Sequence, residues 1–151
     1  DEINELPGYK RAHMGFGYMA EDRRLVPEMT AEQNILVPVW STGIEDFQSR
    51  LKWIYKIIPE CEKFRETPAT SLSGGQQKLV ALARAMIVGK KLLLLDEPFE
   101  GVAPALAERL VELIIGLNKL NLITLITESD VTYSKNISAD IVKLERGKII
   151  I

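Results

Sequence analysis

Apolar positions along the chain change their spacing several times, and each spacing predicts an element. Residues 92–95 are all leucine, which is typical of a strand buried on both faces of a parallel sheet. Strands are predicted over 15–20, 92–95, 122–127, 141–144 and 148–151. Helices are predicted over 44–58, where apolar residues recur three or four apart, and over 75–88, 104–118 and 131–136.

Polar and small residues mark where several of these elements begin and end. Thr30 and Gln33 are spaced as a capping box, in which each side chain accepts from the other residue's backbone N–H. Ser73 is placed to cap the helix that follows it, and Gly89 is expected to end that helix. Pro104 suits the first turn of its helix, because a backbone N–H would have no partner there.

The order of the elements predicts an α/β fold with a mostly parallel sheet, because strands alternate with helices along the chain. Residues 31–70 are almost purely helical in this prediction. They are therefore expected to form a helical subdomain beside the sheet. The last two strands are predicted to be joined by a hairpin turn at Glu145-Arg146-Gly147.

Composition is that of an ordinary globular protein. The 151 residues are 46% hydrophobic and 26% charged, enough to bury a core of about one domain. Nineteen basic and 21 acidic residues give a formal charge of −2, so no broad surface for nucleic acid or membrane is expected. Cys61 is the only cysteine, which excludes an internal disulfide, and an ordinary thiol in a loop is expected.

Two motifs fall where predicted elements can present chemistry. The segment Leu72-Ser73-Gly74-Gly75-Gln76-Gln77 opens a helix, and its glycines leave N–H groups uncovered at the positive end of the helix dipole, where an anion can bind. Strand 92–95 ends in Asp96 and Glu97, at the carboxyl edge where open α/β sheets bind ligands. One carboxylate there can hold Mg²⁺ and the next can deprotonate a water molecule.

In this order and spacing, the two motifs closely resemble the signature motif and the Walker B motif of ATP-binding-cassette (ABC) ATPases. The signature match extends over residues 72–86, and the resemblance runs from about Gly15 to Ile151. It implies that Asp96 binds the metal and that Glu97 is the catalytic carboxylate. It also implies contact with the γ-phosphate of a nucleotide bound by the opposite subunit, through Ser73, Gly74, Gly75 and Gln76.

Three further segments resemble loops of this family, and of its branched-chain amino-acid importers in particular. Residues 15–30 resemble the Q-loop region, where Glu21 takes the place of the usual glutamine and is expected to sense the γ-phosphate. Residues 99–104 resemble the D-loop in its Gly-x-Ala-Pro form. Residues 123–130 align with the switch region, where Ser129 occupies the histidine position. The serine side chain is short and does not titrate near neutral pH, so it cannot contact the γ-phosphate as the longer, titratable histidine side chain can.

The resemblance implies ATP and Mg²⁺ as cofactors. It implies a second ABC ATPase subunit as partner, in a homo- or heterodimer, together with transmembrane permease subunits; no nucleic-acid partner is expected. The expected location is the cytoplasm, at the inner face of the membrane. The expected divisions are 1–29 (a remnant with a strand and the Q-loop region), 30–72 (helical subdomain) and 73–151 (signature helix, Walker B strand, D-loop, switch region and C-terminal strands).

The phosphate-cradling loop of such proteins, G-x-x-x-x-G-K-[ST], does not occur in the 151 residues. The sequence is therefore expected to be the second portion of an ABC nucleotide-binding domain, with its Walker A portion missing. The isolated chain is expected to lack ATPase activity. It is also expected to associate, because strand 92–95 would lack the neighbouring strand that leads into Walker A and would have an open edge.

Two alternatives to a transporter subunit remain open. One is a truncated, non-hydrolysing binding or regulatory module, which Ser129 and the missing loop favour and the intact Asp96 and Glu97 disfavour. The other is a cassette ATPase of repair or translation, which the balanced charge and the importer-like D-loop disfavour. An in-frame Walker A upstream of the codon for Asp1 would support the transporter subunit over the truncated module.

Overall fold

Three short apolar segments pair as one parallel sheet at the centre of the fold. The structure is a computed structural model that describes residues 3–137 and 139–150. The sheet has the order β1-β2-β3, with β1 (Phe16–Met19), β2 (Leu92–Asp96) and β3 (Ile123–Thr127). Both pairings are parallel, and the register sets Tyr18 opposite Leu94 and Asp96 opposite Thr127. The predicted α/β fold with a parallel sheet is confirmed.

The middle position of β2 corrects one expectation. β2 pairs with β1 on one side and with β3 on the other, so it has no open edge. The prediction assigned it the wrong neighbour, since two other apolar strands of matching length satisfy the backbone groups on both of its edges. Within the described residues, it is β3 that pairs on one side only.

Helices make up most of the rest of the described chain. They are α1 (Gly8–His13), α2 (Ala31–Thr42), α3 (Gln48–Ile57), α4 (Pro59–Lys63), α5 (Gly74–Val88) and α6 (Pro104–Lys119). Short 3-10 turns cover Ala69–Ser71 and Ser134–Asn136. A separate antiparallel hairpin consists of β4 (Lys143–Glu145) and β5 (Lys148–Ile150).

Several boundaries differ from the sequence prediction. The helix expected over 44–58 begins only at Gln48, and Pro59 opens α4 as its first residue, where its missing N–H has no cost. α1 has no counterpart in the prediction. The helix expected over 131–136 is reduced to the 3-10 turn at Ser134–Asn136. Ile151, the predicted last residue of the final strand, lies outside the described residues.

The predicted ends of α2 and α5 are present. Thr30 with Gln33 forms the capping box of α2, and Ser73 with Gln76 forms that of α5. Gly89 is the C-cap residue of α5, as predicted, with a φ of −71°. A Cβ at Gly89 would lie 2.3 Å from Leu93 Cδ2, and the glycine therefore permits close packing of the helix end on β2.

One continuous hydrophobic core joins the helices to the sheet. Buried side chains of α2, α3 and α4, among them Ile35, Ile54 and Cys61, belong to the same cluster as Leu93 of β2. The separate helical subdomain at 30–72 therefore stays a prediction. Cys61, which was expected in a loop, lies fully buried in α4, and burial raises the pKa of its thiol to about 12.

Helices cover only one face of the sheet in the described part of the chain. Leu93 and Leu95 are buried on that face. The opposite face exposes 67% of Ile123 and 58% of Leu125, so helices cover β2 on one face, whereas a leucine run is typical of a strand covered on both. We call this surface the bare sheet face, and it consists of Tyr18, Leu92, Leu94, Ile123 and Leu125.

Candidate functional site

Three strand ends meet around Asp96 at the carboxyl edge of the sheet. The Tyr18 hydroxyl of β1 donates to Asp96 Oδ2 at 2.9 Å, and the Thr127 hydroxyl of β3 donates to Asp96 Oδ1 at 2.6 Å. These two bonds, the one from Thr127 foremost, lower the pKa of Asp96, because donors favour the charged carboxylate. The same bond to Asp96 raises the pKa of Tyr18 and keeps its hydroxyl protonated. Asp96 is thus an ionised carboxylate with a fixed orientation.

Glu97 follows directly in an unusual backbone conformation. Its φ is +46°, in the left-handed region that non-glycine residues rarely adopt. Its N–H donates to Thr127 O at 3.0 Å, which continues the β2–β3 pairing by one residue. Its carboxylate Oε2 accepts from the Ser129 N–H at 3.1 Å and lies 3.4 Å from the Ser129 hydroxyl oxygen. The turn therefore directs the Glu97 carboxylate toward the end of β3.

A second acid, Glu128, lies beside Glu97 and is likewise partly buried. Glu128 Oε1 accepts from the Phe99 N–H at 3.0 Å. Burial first, and the neighbouring Glu97 carboxylate in addition, raise the pKa of Glu128 to about 7. Glu128 therefore binds a proton more tightly than an ordinary glutamate does.

The predicted phosphate-contacting motif lies at the N-terminus of α5. Ser73 Oγ accepts from the Gln76 N–H at 3.3 Å, and Gln76 Oε1 accepts from the Ser73 N–H at 2.8 Å. Arg23 Nη1 donates to Gly74 O at 3.2 Å. A Cβ at Gly75 would lie 2.7 Å from Leu106 Cδ2, so glycine gives α5 room against α6. The glycines expose the first turn of the helix, as a site for an anion requires.

Glu21 lies in a cleft beside this helix end. The cleft has a volume of about 260 Å³ and is lined by Glu21, Asp22, Arg23, Gly74, Lys78, Glu100, Gly101 and Val102. A hydrogen bond with the Glu100 carboxyl group is the main cause that raises the pKa of Glu21, and the Asp96 and Glu97 charges add to it. Glu21 therefore faces the loop after β2 from the opposite side of the cleft.

The predicted site residues fall into two groups. Asp96, Glu97 and Ser129 come together at the carboxyl edge of the sheet. The residues of the helix end are joined to one another by the capping box, and Glu21 lines the adjoining cleft. In the described ranges, no hydrogen bond links the motif at 73–76 to the carboxylates at 96 and 97.

The donor set at this edge fits Mg²⁺ held largely by water and phosphate. Over residues 3–137 and 139–150, no group of three or more His, Cys, Asp or Glu side chains could enclose a metal ion. Mg²⁺ commonly binds through one or two carboxylates and completes its shell with water and substrate phosphates. Asp96, ionised and oriented by two hydroxyl groups, matches that mode.

Three residues of the site escaped the sequence analysis. Tyr18 and Thr127 orient Asp96 only because the sheet register brings their strand ends to it, and register is not visible in the sequence. Glu128 adjoins the predicted Ser129, so the proximity of the switch segment to Glu97 was the available signal. Each became visible once the order β1-β2-β3 was known.

The comparison with protein families adds an independent finding. A family model described as ABC transporter matches residues 1–100. None of the helices in the described part of the chain has both the length and the apolar composition needed to cross a membrane.

Curated relatives match the chain almost from end to end. The chain is 27% identical to the high-affinity branched-chain amino acid transport ATP-binding protein BraG of Pseudomonas aeruginosa, over 99% of the chain and 64% of that protein. It is 28% identical to the probable branched-chain amino acid transport ATP-binding protein LivF of Archaeoglobus fulgidus, over 98% of the chain and 63% of that protein. It is 30% identical to the lipopolysaccharide export system ATP-binding protein LptB of Acidithiobacillus ferridurans, over 99% of the chain and 62% of that protein. The chain thus spans slightly less than two thirds of these relatives.

Solved structures agree on the fold. An ATP-binding cassette of an ABC transporter in its ADP conformation matches with a TM-score of 0.76 and 25% identity, over 91% of this chain and 59% of that one. A dimeric bacterial ABC transporter cassette matches with a TM-score of 0.74 and 23% identity, over 87% of this chain and 61% of that one. The arrangement of sheet and helices described above is therefore that of a nucleotide-binding cassette.

Proposed function

The chain belongs to the ABC transporter family, and from that premise we propose that it is the C-terminal portion of an ATP-binding subunit. In this proposal the subunit couples ATP binding and hydrolysis to the movement of a solute across a membrane. The observation that carries the proposal is the pair Asp96 and Glu97, which the turn after β2 directs to the end of β3.

Asp96 acts as the metal-binding carboxylate. Its two oxygens accept hydrogen bonds from hydroxyl groups of β1 and β3, so Asp96 would hold Mg²⁺ as a charged group of fixed orientation. When bound, Mg²⁺ neutralises the charge that develops on the phosphate oxygens. Tyr18 and Thr127 act by orienting Asp96 and by keeping it ionised.

Glu97 acts as the general base for the attacking water. Its carboxylate is oriented by the Ser129 N–H, and a carboxylate so held can accept the proton of a water molecule. Glu128, with its pKa raised to about 7, donates or accepts a proton beside it more readily than an ordinary glutamate at neutral pH. Ser129 positions Glu97 through its N–H and hydroxyl group rather than by titrating.

The N-terminus of α5 supplies the second half of the site to a partner. Ser73, Gly74, Gly75 and Gln76 present an exposed helix end, and no hydrogen bond joins them to the carboxylates at 96 and 97 in the described ranges. We place the γ-phosphate of a nucleotide held by a second ABC ATPase subunit against this helix end. Glu21, in the adjoining cleft, is the residue that senses that phosphate.

The β- and γ-phosphates require an anchor that these 151 residues do not contain, since no G-x-x-x-x-G-K-[ST] loop occurs in them. We propose that another segment or subunit supplies it. The relatives are about half as long again as the matched region, which leaves room for such a loop.

Branched-chain amino acids are the proposed solute, because two of the relatives carry that name. The Gly101-Val102-Ala103-Pro104 form of the D-loop supports the same choice. The partners in this proposal are a second ATPase subunit and transmembrane permease subunits, with the chain on the cytoplasmic side of the membrane.

A non-hydrolysing module is the second candidate, and Ser129 is the observation that favours it. Serine at this position contacts Glu97 through a short hydroxyl group and offers no titratable ring for a γ-phosphate. The two candidates differ in one measurable property, which is turnover of Mg-ATP.

Hydrolysis by the full-length protein tests the proposal. We expect Mg-ATP turnover in the wild type, and Glu97→Gln is expected to retain ATP binding while turnover falls by at least about 10²-fold. Glu108→Gln, an exposed acid on α6, is the matched control and is expected to turn over ATP like the wild type. Binding without turnover in the wild type would favour the non-hydrolysing module, and wild-type turnover in Glu97→Gln would remove Glu97 from its role.

A further inference from the structure

Lys78 is a buried ammonium that the proposed chemistry does not use. It lies in the second turn of α5 with only 3% of its surface exposed. An ammonium group removed from water is costly unless it is hydrogen-bonded or paired. Lys78 Nζ donates to Glu97 O at 2.8 Å and to Glu100 O at 3.0 Å, so its charge is satisfied by backbone carbonyl groups.

The two carbonyl groups bracket the segment 97–100, which follows Asp96. Glu97 O also accepts from the Glu100 N–H at 3.2 Å, so the segment is a tight turn closed across its ends. The φ of Glu97 is +46°, in the left-handed region that is costly for an L-residue. A hydrogen bond donated by a charged ammonium group is stronger than one between neutral groups, and it opposes that cost.

Glu97 is thereby held from both sides of its backbone. Its N–H is bonded to Thr127 O of β3, and its carbonyl oxygen is bonded to Lys78 of α5. The orientation of the Cα–Cβ bond follows from these two contacts, and with it the direction of the carboxylate toward Ser129. Without Lys78, the Glu97 carbonyl oxygen would keep only the bond from the Glu100 N–H, and the direction of the side chain would be less restricted.

We propose that Lys78 is a positioning residue, whose ammonium group clamps the carbonyl groups of Glu97 and Glu100 and so aims the Glu97 carboxylate at the attacking water. The assignment of Glu97 as general base rests on the proposed function, whereas the clamp itself rests on the contacts of Lys78. The clamp also ties α5, which carries the phosphate-contacting motif, to the loop that carries the general base.

Charges on both sides act on the Lys78 ammonium group. Burial, and the Arg23 charge in addition, lower the pKa of Lys78, whereas Glu128, Glu100 and Glu21 oppose that effect. The nearest recorded acceptors are nevertheless the two carbonyl oxygens rather than a carboxylate. A salt bridge would fix one side chain, whereas these contacts fix a backbone turn.

Two variants of matched size distinguish the hydrogen bonds that residue 78 donates from the space that its side chain fills. Lys78→Met and Lys78→Gln have side chains of almost the same length, and both are uncharged, but only glutamine has N–H groups to donate. In the full-length protein, Lys78→Met is expected to lower kcat for Mg-ATP hydrolysis by about 10²-fold with KM changed less than about threefold, as misplacement of a reacting group does. Lys78→Gln is expected to recover most of the lost rate. Equal losses in the two variants, or a rate for Lys78→Met within about twofold of the wild type, would overturn the proposal.

A second measurement needs neither turnover nor a stable variant. In the nucleotide-free wild-type protein with labelled lysine and labelled glutamate carbonyls, the Lys78 ammonium protons are expected to exchange slowly and to correlate in NMR spectra with the carbonyl carbons of Glu97 and Glu100. A rapidly exchanging ammonium without those correlations would contradict the clamp. Absence of wild-type ATP turnover would count against the proposed function alone, because the NMR result decides on Lys78 independently.

Discussion

At the scale of single residues, the carboxyl edge of the sheet keeps two acids in different states. Hydroxyl groups of Thr127 and Tyr18 lower the pKa of Asp96, whereas burial raises that of Glu128 to about 7. Opposed environments of this kind are how a site obtains a permanent charge and a titrating group from similar side chains. The sequence predicted Asp96 because an apolar strand ends there, but it contained no information on which hydroxyl groups would meet it.

The raised pKa of Glu128 predicts how stability depends on pH. An acid with a higher pKa in the folded state binds its proton more tightly there, so the free energy of unfolding falls as pH rises from the unfolded pKa, about 4.5, to the folded value, about 7. Glu128→Gln removes the titration and still accepts from the Phe99 N–H. We expect this variant to be more stable than the wild type above about pH 7 by about 1 kcal/mol, after allowance for solvent screening.

Urea unfolding of the full-length protein at about pH 5 and about pH 8 measures this difference. Glu108→Gln is the control, because the Glu108 side chain is exposed on α6. If the difference in stability between Glu128→Gln and the wild type is the same at both pH values, Glu128 ionises normally in the fold and the prediction is wrong.

At the scale of elements, periodicity and capping residues were sufficient to locate α5, α6 and the three parallel strands along the chain. They did not predict how closely these elements pack. Ser73 and Gln76 mark the start of α5 in the sequence, and both bonds of the box are present. The close approach of α5 to β1 was not predictable, because it depends on Gly17, whose missing side chain has meaning only once the helix lies over it. The same applies to Gly89, which was predicted to end α5 and does so, but whose close packing on β2 was not predictable.

Two glycine variants are predicted to have opposite effects on stability. A Cβ at Gly17 would lie 2.0 Å from Ala85 O, which no backbone can accommodate without separating β1 from α5, so Gly17→Ala is expected to destabilise the fold by roughly 3 kcal/mol or more. At Gly116, on the exposed side of α6, nothing lies within 4 Å of an added Cβ. Gly116→Ala is expected to stabilise by about 0.5–1 kcal/mol through helix propensity.

Chemical denaturation of both variants in the same background checks the pair. A Gly17→Ala variant as stable as the wild type would show that β1 and α5 do not pack as closely as the geometry requires. Destabilisation by Gly116→Ala would show that the exposed side of α6 is in contact with another part of the protein.

At the scale of the whole molecule, the bare sheet face is the main departure from a closed fold. Ile123 and Leu125 expose more than half of their surfaces on it, and β3 has a partner on one edge only within the described residues. The sequence analysis attributed the expected association to an open edge of β2, which is instead paired on both edges. Association itself stays a prediction. The position of a strand within a sheet is set by all of its neighbours, and the leucine run alone could not assign it.

We therefore predict that the 151-residue chain self-associates through the bare sheet face at low micromolar concentration, since a contiguous exposed apolar surface favours association. Ile123→Thr combined with Leu125→Thr keeps strand propensity and removes apolar area, so it is expected to yield more monomer. Leu120→Thr, which is exposed but outside that face, is the control. Light scattering distinguishes the cases, and a monomeric parent chain or an unchanged double variant would contradict this prediction.

The central claim is that ATP is hydrolysed between two subunits, with Glu97 from one and the helix end at Ser73 from the other. Mixing two variants of the full-length protein tests it most directly: Glu97→Gln disables the base, and Ser73→Arg blocks the helix end, while Ser41→Arg on α2 controls for the added arginine. Each disabled variant alone is expected to be inactive. In an equal mixture, about half of the dimers are mixed and one of their two sites is intact, so about a quarter of the wild-type turnover is expected to return. An inactive mixture, or turnover by either disabled variant alone, would contradict a site shared between subunits.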